Sequence, residues 1–164
     1  MTTTNTVRSP VGLARIFPPG AIIVGLENTP KQSVIAALVQ RLVVLGRVPR
    51  REEQGLVKAI MTREELGTTA LGNGIAFPHS RTELVDGLLG VLGLDLRGVQ
   101  FDALDRSLVF GVFLLLAPVD VSQEYFEVLG RITAIGKDKS LRAQLRGCRT
   151  AEAAHQFLQS LDAE

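Results

Sequence analysis

A chain of 164 residues, 46% of them apolar, is long enough for one domain with a real core and too apolar to stay disordered. Its formal charge of +1 leaves no basic footprint for nucleic acid. The single Cys148 excludes an internal disulfide, and Cys148, His79 and His155 lack the number and spacing of a metal site.

The first residues, Met1 to Pro10, are polar and lack the apolar region of a signal peptide. The longest strongly apolar run, Leu108 to Val119, is too short to cross a bilayer. The chain therefore reads as cytoplasmic and soluble, without membrane insertion, metal or cofactor. Residues 1–11 are expected to form a flexible tail, and 12–164 a single domain.

Leu13 to Phe17 reads as a short helical turn closed by Pro18-Pro19-Gly20, and the apolar run Ala21 to Leu26 as a buried strand. Thr29-Pro30 starts a helix, with Thr29 as N-cap and Pro30 in the first helical position. Val34, Leu38, Leu42 and Leu45 line its inner face, supported by Ile35 and Val39, and Gly46 closes it. A second helix follows Pro49, with Leu56, Val57, Ile60 and Met61 inward. It ends near Glu65, so Arg63 lies on its last turn.

The stretch that follows carries the chemistry. Leu66 to Arg81 contains Gly67, Thr68, Thr69, Gly72, Asn73 and Gly74, then a short apolar piece, Ile75 to Phe77, then Pro78 and His79. Pro78 lacks an N–H and is expected to end the strand, presenting His79 at its mouth. The glycines allow backbone N–H groups to turn inward as an anion cradle. No Gly-Lys-Ser/Thr closes the loop, so it is not a P-loop, and Gly72-Asn73-Gly74 is a poor dinucleotide signal. A histidine beside an oxyanion cradle points to phosphoryl chemistry on the imidazole.

Beyond His79, a polar turn (Arg81 to Asp86) leads to a strand over Leu88 to Leu96. Asp102 to Asp105 forms a turn or short helical piece, and Leu108 to Leu116 a second buried strand ended by Ala117-Pro118. Val121, Tyr125, Val128, Leu129, Ile132 and Ile135 form one helical stripe ending at Gly136. Asp138 caps a short helix with Leu141 and Leu145 inward. Thr150 caps the last, where Ala154, Phe157, Leu158 and Leu161 face the core. The predicted order is helix, strand, two helices, three strand pieces and three helices, which makes a mixed sheet covered by helices.

The run Arg63, Glu64, Gly67, Thr68, Thr69, Gly72, Asn73, Gly74, Ala76, Pro78, His79 resembles the enzyme IIA domain of the phosphoenolpyruvate-dependent sugar phosphotransferase system. The matching class is the fructose/mannitol class with its nitrogen-regulatory branch. The resemblance spans about residues 12 to 161 and implies a three-layer α/β/α sandwich with a mixed β-sheet. It implies that His79 accepts a phosphoryl group from the histidine phosphocarrier protein, that Arg63 stabilises it, and that Thr68, Thr69, Gly72, Asn73 and Gly74 bind phosphate.

Read without the resemblance, His79 is a loop histidine with a structural hydrogen bond and Arg63 a surface residue favoured by the helix dipole. The threonines and Asn73 then stabilise turns. Tyr125 stands where the family generally places a second histidine. Its hydroxyl can donate to a phosphoryl oxygen but brings no positive charge, and its spacing also suits the core stripe.

The leading reading is a phosphohistidine carrier and regulatory protein, a phosphotransferase with a phosphohistidine intermediate if active, whose regulatory target the sequence does not name. The alternatives are a binding module that has lost phosphotransfer, motivated by Tyr125, and a sugar-specific component acting with a separate permease. His155 reads as a packing residue and Cys148 as an ordinary thiol.

Overall fold

The computed structural model describes residues 12–26, 30–120 and 122–163. The chain opens with a short helix, α1 (Leu13–Ile16), and a short strand, β1 (Ile22–Val24). Helices α2 (Lys31–Val44) and α3 (Glu53–Leu66) come next. Two strand segments, β2 (Ile75–Ala76) and β3 (His79–Arg81), precede the long strands β4 (Leu89–Val99) and β5 (Val109–Ala117). Helices α4 (Gln123–Lys137), α5 (Lys139–Arg146) and α6 (Ala151–Asp162) complete the chain.

The sheet runs β1, β4, β5, with β2 and β3 both on the far side of β5. β1 is parallel to β4, β4 antiparallel to β5, and β2 and β3 parallel to β5. Every residue of β5 is buried, as its unbroken apolar run requires of a strand covered on both faces. From Val112 onward its side chains alternate between two cores. Val112, Leu114 and Leu116 join the layer of α2 and α3. Phe113, Leu115 and Ala117 join α1, α4, α5 and α6. The result is a mixed sheet with helices on both sides, as expected.

Local signals explain most boundaries. In α2, Val34, Ile35, Leu38, Val39 and Leu42 are buried. Leu45, expected inward, is 41% exposed because the helix has already ended. The end is set by Gly46 at φ +72: its N–H reaches Val43 O and that of Arg47 reaches Leu42 O, a paired C-terminal closure that favours glycine. Pro30 directly precedes the first helical residue rather than being it, and the expected Thr29 cap lies outside the described residues. So do the expected 1–11 tail and Val121 of the α4 stripe. The Asp138 carboxylate caps Ser140 and Leu141, and the Thr150 hydroxyl caps Ala153, both as expected. The first strand is shorter than its apolar run, because Ala21 belongs to a preceding 3-10 turn and the chain bends at Gly25.

Candidate functional site

Pro78 interrupts the edge of the sheet without ending it. Ile75 and Ala76 pair with Gly111 and Val112, and His79, Ser80 and Arg81 pair with Leu115, Leu116 and Ala117. The register is the same on both sides of the proline, and Pro78 O still accepts from Leu115 N at 3.0 Å. Proline removes its own N–H but leaves its carbonyl, and an edge strand tolerates one missing donor. The expectation that the strand stops at Pro78 is corrected: His79 is the first residue of the resumed strand, and the polar turn begins after Arg81.

His79 is half-buried, and its Nδ1 lies 2.8 Å from Phe77 O. A carbonyl only accepts, so Nδ1 carries the proton and Nε2 keeps its lone pair. Among the described residues no buried side-chain nitrogen or oxygen lacks a partner. Nε2, which has no partner, therefore meets solvent. The imidazole stacks on Phe77 (centroids 6.1 Å apart) and meets the Tyr125 ring edge-on at 6.0 Å. Burial pushes the His79 pKa below its ordinary value, and the charges of Arg63 and Arg81 push the same way. The Phe77 carbonyl and Glu64 oppose them. The ring is therefore neutral near pH 7.

Arg63 lies on the last turn of α3, which packs on β3. It is exposed, and its Nη1 donates to Gly67 O at 2.9 Å. Arg81 escaped the sequence reading because it fell in a supposed turn. Two residues beyond His79 on one strand, it shares that residue's side of the sheet. Both arginines act on the Tyr125 hydroxyl as well as on His79. Burial nonetheless leaves the Tyr125 pKa raised. Tyr125 itself is buried in the first turn of α4, whose N-terminal end supplies a partial positive charge. One imidazole nitrogen thus opens into a region made positive by two guanidinium groups and a helix end.

The glycine-rich loop divides into two parts with different work. Thr69 is buried, and its N–H reaches both Glu64 oxygens at 3.3 and 3.2 Å while its hydroxyl also donates to Glu64. Lys31 Nζ pairs with Glu64 at 3.0 Å and lies 4.8 Å from the centre of the Phe101 ring. Thr68 Oγ1 accepts from Ala70 N at 3.1 Å and, more weakly, from Lys31 at 3.5 Å. These threonines thus fix the loop behind Arg63.

Gly72, Asn73 and Gly74 sit at the other end of the edge strand. Five steps of extended chain lead from Gly74 to His79, about 16 Å. The structure does not bring these three to His79. Gly74 has φ +77, and a Cβ there would lie 2.6 Å from Phe110, so this turn is required by packing.

The other two candidate nucleophiles are structural. His155 Nε2 lies 3.0 Å from Ala14 O, tying α6 to α1. The Cys148 thiol reaches Gln144 O, and burial raises its pKa. Among the described residues no helix is long and apolar enough to cross a membrane.

Comparison with known proteins fits this geometry. The sequence model described as "Phosphoenolpyruvate-dependent sugar phosphotransferase system, EIIA 2" matches residues 15–161. A nitrogen regulatory protein of Pseudomonas aeruginosa is 34% identical over 149 residues, 90% of this chain and 95% of that protein. One from Bradyrhizobium diazoefficiens is 30% identical over 143 residues, 87% and 92% respectively. The crystal structure of nitrogen regulatory protein IIA-Ntr from Neisseria meningitidis superposes with a TM-score of 0.78 at 28% identity, covering 88% of this chain and 97% of that one.

Proposed function

The chain belongs to the enzyme IIA type 2 family of the phosphoenolpyruvate-dependent sugar phosphotransferase system, and on that premise we propose that it is a phosphohistidine carrier and regulatory protein that is phosphorylated on His79 Nε2. The observation that carries this reading is the tautomer: with Nδ1–H held by Phe77 O, Nε2 is the nitrogen left to attack. The phosphoryl donor is the phosphorylated histidine phosphocarrier protein. Its P–N bond breaks as the Nε2–P bond forms, and the donor imidazole departs with its electron pair. Nδ1 keeps its proton, and the positive charge that develops on the ring is stabilised by the Phe77 carbonyl. Arg63 and Arg81 balance the charge on the phosphoryl oxygens.

The regulatory assignment rests on the two relatives called nitrogen regulatory protein, which this chain matches over nearly their full length. Phosphorylation adds negative charge to a face rimmed by Phe77 and the exposed Phe126, and so changes which partner docks there. The test is to mix the protein with phosphoenolpyruvate, enzyme I and the phosphocarrier protein and follow an acid-labile phosphoryl mass. No label, with the carrier charged and this protein folded, overturns the reading.

Two further outcomes follow from the site. The nucleophile is the neutral ring, and the His79 pKa lies below its ordinary value of about 6.5. The acceptance rate should therefore fall on acidification at a lower pH than it would for an unperturbed imidazole. A decline already at neutral pH would mean that the ring is not held neutral.

Tyr125 favours a second reading, a docking module that has lost phosphotransfer. Tyr125→His places a second imidazole against His79 and is expected to raise the rate by about tenfold or more. An unchanged rate would show that the tyrosine was never limiting and would remove the motive for the second reading.

A further inference from the structure

Asn73 and Gly74, which the His79 chemistry does not use, line a separate cleft of about 400 Å³. Lys139, Arg142 and Arg146 of α5 line the same cleft, together with Ser107 and Asp105. Spacings of three and four residues put the three cations on one side of the helix.

Their charges are not neutralised by carboxylates. Arg142 Nη1 donates to Gly136 O at 2.6 Å. Arg146 donates from Nε and Nη2 to Leu96 O at 3.2 and 3.1 Å, and its guanidinium carbon lies 5.5 Å from the centre of the Phe110 ring. The ion pairs of the described residues involve none of the three. Carbonyls and a ring thus aim two guanidinium groups while leaving their charge available.

The cleft's own carboxylate, Asp105, is engaged at both oxygens. Asn73 N–H binds one at 3.1 Å, and the Ser107 N–H and hydroxyl bind the other at 3.0 and 2.6 Å. Asp138 occupies the N–H groups at the start of α5, so the attraction comes from side chains rather than from the helix end. Three cations against one carboxylate leave the cleft at +2, in a chain whose whole formal charge is +1.

We infer that this cleft binds a small ligand bearing two or more linked phosphates, such as a nucleoside diphosphate, at a site separate from His79. The seven-residue span from Lys139 to Arg146 is about 10 Å along the helix, longer than one phosphate covers. Leu108, 50% exposed on the rim, offers the apolar contact that a base or sugar needs. The volume lies within the range of small-molecule sites.

The test is a titration of the isotope-labelled full chain, followed by amide NMR in magnesium-free buffer, with pyrophosphate and with ADP. Saturable shifts are expected at Asn73, Gly74, Ser107 and Ala143. Lys139→Glu, at an exposed position, should weaken both ligands by about tenfold or more, the loss of one charge-assisted contact. An unchanged thermal midpoint confirms that the variant is folded.

Shifts that do not saturate, that persist unweakened in the variant, or that fall on the Arg63 and Arg81 face would overturn the inference. A polyglutamate peptide or anionic phosphatidylglycerol vesicles that bind the same residues more tightly than ADP would also overturn it, giving the cleft to a protein or a membrane surface.

Discussion

Replacing His79 with alanine is expected to abolish the acid-labile phosphoryl label, with no residual slow phase, while His155→Ala labels at the wild-type rate. These are the two histidines of the chain, so the pair of variants decides the assignment. Each ring has one nitrogen on a backbone carbonyl, Ala14 O for His155 and Phe77 O for His79, but it is His79 that feels the charges of Arg63 and Arg81, whereas His155 ties α6 to α1. The His79 bond reaches a carbonyl only two residues away, so its loss disturbs nothing distant and the fold should survive. Intact mass spectrometry with the charged phosphocarrier protein reads the label, and the thermal midpoint checks folding. Label that persists in His79→Ala would move the acceptor elsewhere and sink the proposed function.

A second large effect is expected in stability. Glu64→Ala should cost about 3–5 kcal/mol, the range for removing one partner of a buried ion pair. The Glu64 side chain is 1% exposed and accepts from Thr69 N–H, the Thr69 hydroxyl and Lys31 Nζ. Alanine strands all three donors, among them a lysine charge with 11% of its side chain exposed. Glu124→Ala removes a partner of the exposed pair with Arg15 and should cost no more than about 1 kcal/mol. Urea unfolding of both variants checks this. Equal midpoints would mean that the Glu64 network is dispensable to the fold.

How much of this was legible in the sequence depended on how local each cause is. Most of the helix stripes, the glycine after α2 and the caps at Asp138 and Thr150 are written within a few residues of where they act; Leu45, past the end of α2, is the exception. The two long strands were legible because β5 is apolar throughout, and the motif from Arg63 to His79 was enough to indicate the family.

What depended on pairing across the chain was not legible. The strand at His79 exists because β5 lies beside it, and nothing in Pro78-His79-Ser80-Arg81 signals that. Missing the strand hid Arg81. The role of Glu64 needs Lys31, a helix away. The largest misjudgement concerned distance: Gly72, Asn73 and Gly74 are near His79 in sequence, but an extended chain carries them away from it. Adjacency along a strand measures separation, whereas along a loop it suggests proximity.

The strand resumed at His79 limits what can pair with this edge of the sheet. An open sheet edge is a template for another chain's backbone. Here Pro78 O faces β5, where Leu115 N–H binds it, so the groups on the open side are those of Phe77 and His79, and Phe77 O is already taken by the His79 ring. A visiting strand finds no continuous ladder to extend. Contact at this edge is left to side chains.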